Sequence, residues 1–225
     1  MTYNIRGTKG MDNRRSAKRI ADVIRASGAQ IVCLQEVHQR LPYSRMVDQP
    51  KALSRLLGMK VAFQVNLRIG IGNYGNALLT NLEIVRSQSH SLTSKGEPRG
   101  ALEVGLMTPD GPLTVFCTHF GLDRNERATQ GRELAALVNA APAPKIVCGD
   151  FNEEAQAMGL SGLIGSAGLI DACAGGPPTF EAGNPTKRID FILHDPSVTI
   201  HSVSLIDTLA SDHLPIVADL SLEAG

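Results

Sequence analysis

Short apolar runs rich in β-branched residues, bounded by Gly, Pro, Asn or Asp, recur along almost the whole chain and constrain its fold more than any other feature. They predict strands at Met1–Ile5, Gln30–Gln35, Lys60–Val65, Gly75–Thr80, Ile84–Ser87, Ala101–Met107, Leu113–His119, Lys145–Gly149, Arg188–Leu193, Val198–Ile206 and Leu214–Leu220. Helical spacing is confined to fewer stretches. Between Asp12 and Ser27, Ala17, Ile20, Ala21, Val23 and Ile24 share one face, with Asp12 or Asn13 to cap the start and Gly28 to end it. A shorter helix, Pro50–Leu57, stops at Gly58, and a longer one, Asn125–Asn139, is closed by Pro142. Strands outnumber helices and several adjoin as hairpins, which favours packed α+β layers over a doubly wound parallel sheet. The segments 66–74 and 156–169 read as apolar loops, and Ala174–Pro185, dense in Gly and Pro, as a loop beside the last strands.

With 225 residues, 43% of them hydrophobic, the chain can bury a large core as a single domain, 1–225. Lys plus Arg equals Asp plus Glu at 22 each, so attraction to a polyanion has to come from local clustering. Cys33, Cys117, Cys148 and Cys173 are widely spaced, form no C-x-x-C, and read as inert thiols. No apolar stretch reaches the ~18 residues of a membrane span. The expectation is a cytoplasmic protein with no membrane insertion and no obligate protein partner. The first strand begins at Met1 itself, as a late start or a trimmed terminus would leave it.

Polar residues gather where the strands end. Asn4 stands in "TYNI", Glu36 in "CLQE", Asn76 in "YGNALLT", His119 in "VFCTH", Asp190 in "KRIDFIL", and Asp212 with His213 in "SDHLPI". In "CGDFN", alternation along an extended segment puts Asp150 and Asn152 on one face. Singly each has an ordinary explanation: Asn4 closing a turn, Glu36 or Asp212 capping, His119 hydrogen-bonded within its strand, Asp190 paired with Arg188 or Lys187. Taken together they are harder to explain so, because an acid in a buried run must be paired or must ligate something.

In this order, "TYNI", "LQE", "GNALLT", "EPRGAL", "THF", "GDFN", "RIDFIL" and "SDHLPI" resemble the endonuclease/exonuclease/phosphatase family over nearly the whole chain. The resemblance implies a four-layer α/β sandwich: two mixed β-sheets face to face, helices on the outer faces, and a divalent-metal site at one end. It implies Mg²⁺ or Mn²⁺ held by Glu36 with Asn4 and Asp212 close by, a set of hard oxygen donors suited to those ions. It assigns Asp150 and Asn152 to positioning or activating the attacking water, and His119 and His213 to facing the phosphate. Asp190 would orient His213, and Asn76 and Arg99 would assist at the phosphate. For Arg99 an ion pair with Glu97 or Glu103 is an equal alternative, and whether Asp150 or His213 takes the proton stays open.

Such a set suits in-line attack of water on a phosphodiester, where charge builds on oxygens that must be neutralised. Repair nucleases of the family that act on abasic sites often carry an acid where this chain has Arg6, and a Tyr where it has His119, which weakens that reading. Between Arg6 and Arg19 stand Arg6, Lys9, Arg14, Arg15, Lys18 and Arg19 against Asp12 alone. This stretch is read as a possible nucleic-acid contact or a solvated helix face. The expected activity is a metal-dependent phosphodiesterase with a phosphodiester substrate, foremost a nuclease on DNA and also RNA. The alternatives are an enzyme for a small or lipid phosphate ester, and a silent phosphate-binding module.

Overall fold

The computed structural model describes residues 1–142 and 144–222. Its strands are β1 (Thr2–Asn4), β2 (Ile31–Gln39), β3 (Lys60–Ile69), β4 (Gly72–Thr80), β5 (Glu83–Leu92), β6 (Arg99–Thr108), β7 (Gly111–His119), β8 (Lys145–Asp150), β9 (Ile170–Asp171), β10 (Asp190–His194), β11 (Val198–Leu205) and β12 (Ile216–Leu222). The helices are α1 (Ala17–Ser27), α2 (Gln49–Leu57), α3 (Arg124–Ala140) and α4 (Met158–Ala167).

The strands form two six-stranded sheets, ordered β11-β12-β1-β2-β4-β3 and β5-β6-β7-β8-β10-β9. Both are mixed: β1 runs parallel to β2 and β7 to β8, while the remaining pairs are antiparallel. Alternation along each central strand sorts its apolar residues into separate layers. Cys33, Cys117, Ile146, Cys148 and Ile192 meet between the sheets. Their neighbours Val32 and Leu34 pack under α1 and α2 with Ile20, Ile24 and Leu53. Val147, Phe191 and Leu193 pack under α3 and α4 with Leu134, Val138, Leu160 and Leu163. Strands covered on both faces explain the unbroken apolar runs. The architecture is the expected four-layer α+β sandwich, the cysteines are free thiols, and no helix among the described residues is long and apolar enough to cross a membrane.

Several local expectations are corrected. Helix α1 is capped by Ser16, which accepts from the Arg19 N–H at 3.2 Å, and not by Asp12 or Asn13. Asp12 instead closes a turn with the Arg14 N–H and pairs with Arg19. Segment 66–74, expected as a loop, continues the β3–β4 hairpin around Gly70. Helix α4 lies in 156–169, also expected as a loop. Gly159, Gly162 and Gly165 give it poor intrinsic helicity, so packing on α3 must supply its stability. Its N-cap Ala157 offers no side-chain acceptor, and the buried carboxylate of Glu153 serves instead, accepting from the Leu160 N–H at 2.5 Å and from Arg127 of α3 at 2.8 Å.

The two helices approach closely at Gly131, where a Cβ would stand 2.2 Å from the Gly159 carbonyl oxygen. Gly131→Ala should therefore push α4 off α3 and lower stability by about 1–3 kcal/mol. Urea denaturation checks this: the midpoint should fall with an unchanged slope.

Candidate active site

The topology brings one set of strand ends to one rim. Parallel pairing ends β1 at Asn4, opposite Gln35 where β2 begins its bulge, and ends β7 and β8 together (His119 opposite Asp150). The antiparallel β10 begins there, with Asp190 opposite Asp150, and β6 enters with Gly100 opposite His119. The result is a concavity lined by Glu36, Arg99, His119, Asp150, Asn152, Asp212 and His213, with His38, Tyr43, Tyr74, Glu97, Leu122 and Phe180 among its walls.

Asn4 joins the two sheets at this rim. Its Nδ2 donates to Glu36 Oε1 at 3.0 Å and to Asp150 Oδ2 at 2.9 Å. The amide orientation follows from chemistry, because its Oδ1 accepts the Arg6 backbone N–H at 3.0 Å and only an oxygen can do so. The resemblance placed Asn4 near the ion. The structure spends its carbonyl on the backbone and leaves it as a bracket between two carboxylates.

Glu36 reaches the rim because β2 bulges between Leu34 and Val37, with Glu36 at φ 55. Asn152 has φ 51, and its N–H donates to Asp150 Oδ1 at 2.9 Å. Asp150 and Asn152 thus converge through a tight Asx turn and not through the strand alternation expected, since β8 ends at Asp150. Arg6 (φ 46), Gly7 (φ 54) and Thr8 (φ 64) form a third left-handed stretch. Left-handed backbone costs about 1–2 kcal/mol per non-glycine residue, so the surroundings must hold these positions in place.

Two histidines flank Asp150. His119 Nε2 lies 3.4 Å and His213 Nε2 3.6 Å from Asp150 Oδ2. His213 Nδ1 donates to Asp190 Oδ2 at 2.9 Å, and the same oxygen accepts from Thr179 Oγ1 at 2.6 Å. Asp190 therefore faces His213 as expected, while Arg188 pairs with Asp171. Arg99 Nη1 lies 3.1 Å from His119 Nδ1 and 2.6 Å from Glu97 Oε1. A guanidinium only donates, so His119 Nδ1 accepts from Arg99, while its Nε2 lies 3.0 Å from Asn152 Nδ2 and 3.4 Å from Asp150 Oδ2. Glu103, the other partner considered for Arg99, is taken by Arg86 and His90. Asn76 is not brought to the site: buried in β4, it donates across the sandwich to the Gly100 carbonyl at 3.0 Å.

Burial and neighbouring charge push these groups apart. Burial lifts the Asp150 carboxyl to about 7, against the opposing pull of His213 and with a further push from Asp190. Burial alone would depress His213, but Asp190 and Asp150 override it and raise the imidazole to about 10. His119 is driven well below its ordinary value by burial, Arg99 and His213, and is neutral. Burial also raises Glu36, with only partial relief from Asn4.

Asp150, Asp190 and His213 are a group of three whose ligand atoms lie within 4.8 Å of one another. The His213–Asp190 hydrogen bond uses the facing atoms of that group, and an imidazole nitrogen suits softer ions than Mg²⁺. Glu36 fits the implied cation better. Its carboxylate is held by a single hydrogen bond among the described residues, from a neutral amide, and makes no salt bridge among them, with His213 the cation that acts on it. Asp212 instead pairs through Oδ2 with Arg6 Nε at 3.0 Å. One carboxylate with room for water and a phosphate oxygen is a donor set that Mg²⁺ or Mn²⁺ accepts.

Sequence reasoning passed over several residues here. Thr179 and Phe180 lie in the 174–185 loop, and the Phe180 ring packs on His213 with centroids 4.8 Å apart. Ser211 Oγ donates to the Asn4 carbonyl at 2.7 Å. Tyr43 is 55% exposed on the concavity wall. No motif marks them; only the adjacency of Ser211 to Asp212 was a usable signal.

The Endonuclease/Exonuclease/phosphatase family profile matches residues 1–213. An uncharacterised protein of Escherichia coli K12, YbhP, is 30% identical over 243 aligned positions that cover 99% of this chain and 95% of that protein. Among solved structures, an endonuclease/exonuclease/phosphatase from Beutenbergia cavernae superposes with TM-score 0.85 at 24% identity, over 98% of this chain and 70% of that one. A mannosyl-6-phosphatase from Bacteroides thetaiotaomicron superposes with TM-score 0.81 at 20% identity, over 98% of each chain.

Glu36 supplies a direct test. Its carboxyl is raised in the fold, so its charge costs stability once the pH passes that raised value. Metal-free Glu36→Gln should therefore melt no lower than wild type at pH 8. MnCl₂ should raise the wild-type melting temperature and leave that of the variant unchanged. Wild-type Mn²⁺ affinity should tighten between pH 5 and 8 as Glu36 and Asp150 shed protons, by about tenfold per pH unit for each proton released, as calorimetry would read.

Proposed function

The chain belongs to the endonuclease/exonuclease/phosphatase family of phosphoester hydrolases, and from that premise we propose that it is a Mg²⁺- or Mn²⁺-dependent phosphoesterase. The observation that carries this reading is the buried Asp150 carboxylate 3.6 Å from His213, with Asp190 behind the histidine, an arrangement in which burial raises Asp150 while the two carboxylates raise His213. Two titratable groups driven apart in this way make a base and a cation at neutral pH.

Glu36 would hold the divalent ion, which when bound supplies positive charge to a phosphate oxygen at this rim. Asp150, steadied by Asn4 and the Asn152 N–H, takes the proton of the attacking water. His213, kept cationic by Asp190, donates to a phosphate oxygen on which charge builds. His119, kept neutral by burial and by Arg99 and His213, stands beside Asp150 between Arg99 and Asn152, which hold its ring in place. Burial around the dyad removes competing water and strengthens each of these contacts.

A small phosphate ester is the favoured substrate class. In the basic stretch, Arg6 pairs with Asp212, Arg19 with Asp12 and Lys18 with Asp22, while Arg15 donates to the Arg6 and Gly7 carbonyls. Lys9, Arg14 and Arg15 have no ion pair among the described residues, and Arg15 is spent on those carbonyls. That leaves little free charge to follow a nucleic-acid backbone. The mannosyl-6-phosphatase is a case of this fold serving a sugar phosphate. The nuclease reading keeps one observation in its favour, the exposed Tyr43 ring on the wall of an open site, where a base could stack.

A substrate panel separates the readings. Purified protein with Mg²⁺ or Mn²⁺ should hydrolyse sugar phosphates or p-nitrophenyl phosphate faster than it nicks plasmid DNA or degrades RNA. Activity should vanish with chelator and fall by about 10²–10⁴ in Asp150→Asn or His213→Ala. Plasmid nicking that dominates and obeys both controls would establish the nuclease instead, and silence on every substrate would sink the catalytic reading.

The pH profile tests the roles. With Asp150 as base and His213 as cation, kcat/KM should rise up to about pH 7 and fall toward about pH 10. Because Asp190 raises both His213 and Asp150, Asp190→Asn should move both limbs of the profile down, the alkaline limb by about one unit or more.

A further inference from the structure

We propose that Arg6 is the second positive charge of this site: its guanidinium, anchored on Asp212, grips a phosphate oxygen of the substrate and leaves the site with one divalent ion. The inference rests on the phosphoesterase reading but is carried by separate observations.

Asp212 lines the concavity beside His213 and Glu36, and it would be the natural carboxylate for a second cation. Arg6 has taken it, with Nε 3.0 Å from Asp212 Oδ2. The pair commits only one edge of the guanidinium. Among the described residues no protein acceptor meets the two η nitrogens, and the Arg6 side chain remains 34% exposed. A planar fork with one edge fixed and the other free is suited to a phosphate oxygen.

The backbone is built to hold that fork. Arg6, Gly7 and Thr8 are left-handed in succession, at φ 46, 54 and 64. Gly7 suits this turn, since its φ of 54 strains any other residue and a Cβ there would stand 2.2 Å from the His38 ring and displace it. Arg15 Nη1 donates to the Arg6 carbonyl at 3.1 Å and to the Gly7 carbonyl at 2.6 Å, and Gln49 Nε2 donates to the Gly7 carbonyl at 2.8 Å. The Arg6 N–H in turn orients Asn4. A braced, strained turn that fixes the Arg6 guanidinium beside Asp212, a residue of the concavity wall, is expected where position matters.

Two equilibrium measurements decide the matter. Calorimetric titration with Mn²⁺ should give one bound ion per wild-type chain. Inorganic phosphate, titrated into Mg²⁺-loaded protein, should bind about tenfold or more weakly to Arg6→Ala and Arg6→Gln than to wild type, although both variants, with Asp212 released, should bind Mn²⁺ at least as tightly as wild type. Arg6→Gln retains a hydrogen-bonding group for Asp212 should Arg6→Ala fold poorly, and the wild-type stoichiometry needs no variant. Two Mn²⁺ ions per wild-type chain, or phosphate binding within twofold of wild type in a folded variant, would overturn the proposal. Neither reading depends on turnover, so a failure of the catalytic assignment leaves this one separately decided.

Discussion

The Asn4 carboxamide is the contact on which the site depends. Glu36 comes from one sheet and Asp150 from the other, both partly or wholly withdrawn from water, and each would repel its neighbour. One amide nitrogen donates to both, at 3.0 and 2.9 Å. A neutral donor can bind two carboxylates without cancelling either charge, which leaves the pair able to attract a cation. A lysine in the same place would satisfy the acids and close the site. Asn4 is itself fixed from both directions, by the Arg6 N–H on its side chain and by Ser211 on its carbonyl. The rim is thus tied together by groups from the start, middle and end of the chain.

Strain and charge are concentrated here, while the three apolar layers carry the fold. Arg6, Glu36 and Asn152 all take left-handed backbone. Asp150 and Glu36 are raised by burial, and Asp190 keeps a buried oxygen with no hydrogen-bond partner among the described residues. Each feature is unfavourable alone. Layers built on residues such as Phe116, Phe151, Phe191 and Leu34, all wholly buried, offset them. The separation has a physical basis: strand interiors can be optimised for packing because the chemistry is confined to strand ends and to the bulge of β2.

Much of this was legible in the residue order. Strands of period two, buried on both faces, declare themselves as apolar runs, and the polar residues that interrupt them fell at strand ends because polar groups inside the sandwich would go unpaired. Helix α4 was not legible, since three glycines argue against it locally and only the surface of α3 and the Glu153 carboxylate stabilise it. Asn76 misled for the opposite reason. A polar residue in an apolar strand resembles a site residue, yet this one satisfies the Gly100 carbonyl across the sandwich.

By itself, then, the order of residues determined the layered architecture and the inventory of acids, amides and histidines, because alternation and strand-end polarity are local properties. Tertiary structure alone decided their partners. That Arg188 turns to Asp171 and leaves Asp190 to His213, that Arg6 occupies Asp212, and that Asn4 brackets two acids are matters of a few ångströms between segments remote in the chain. Hydrogen bonds and ion pairs of that range depend on sheet register and on which way a bulge turns a side chain, and neither is written in any single stretch of sequence.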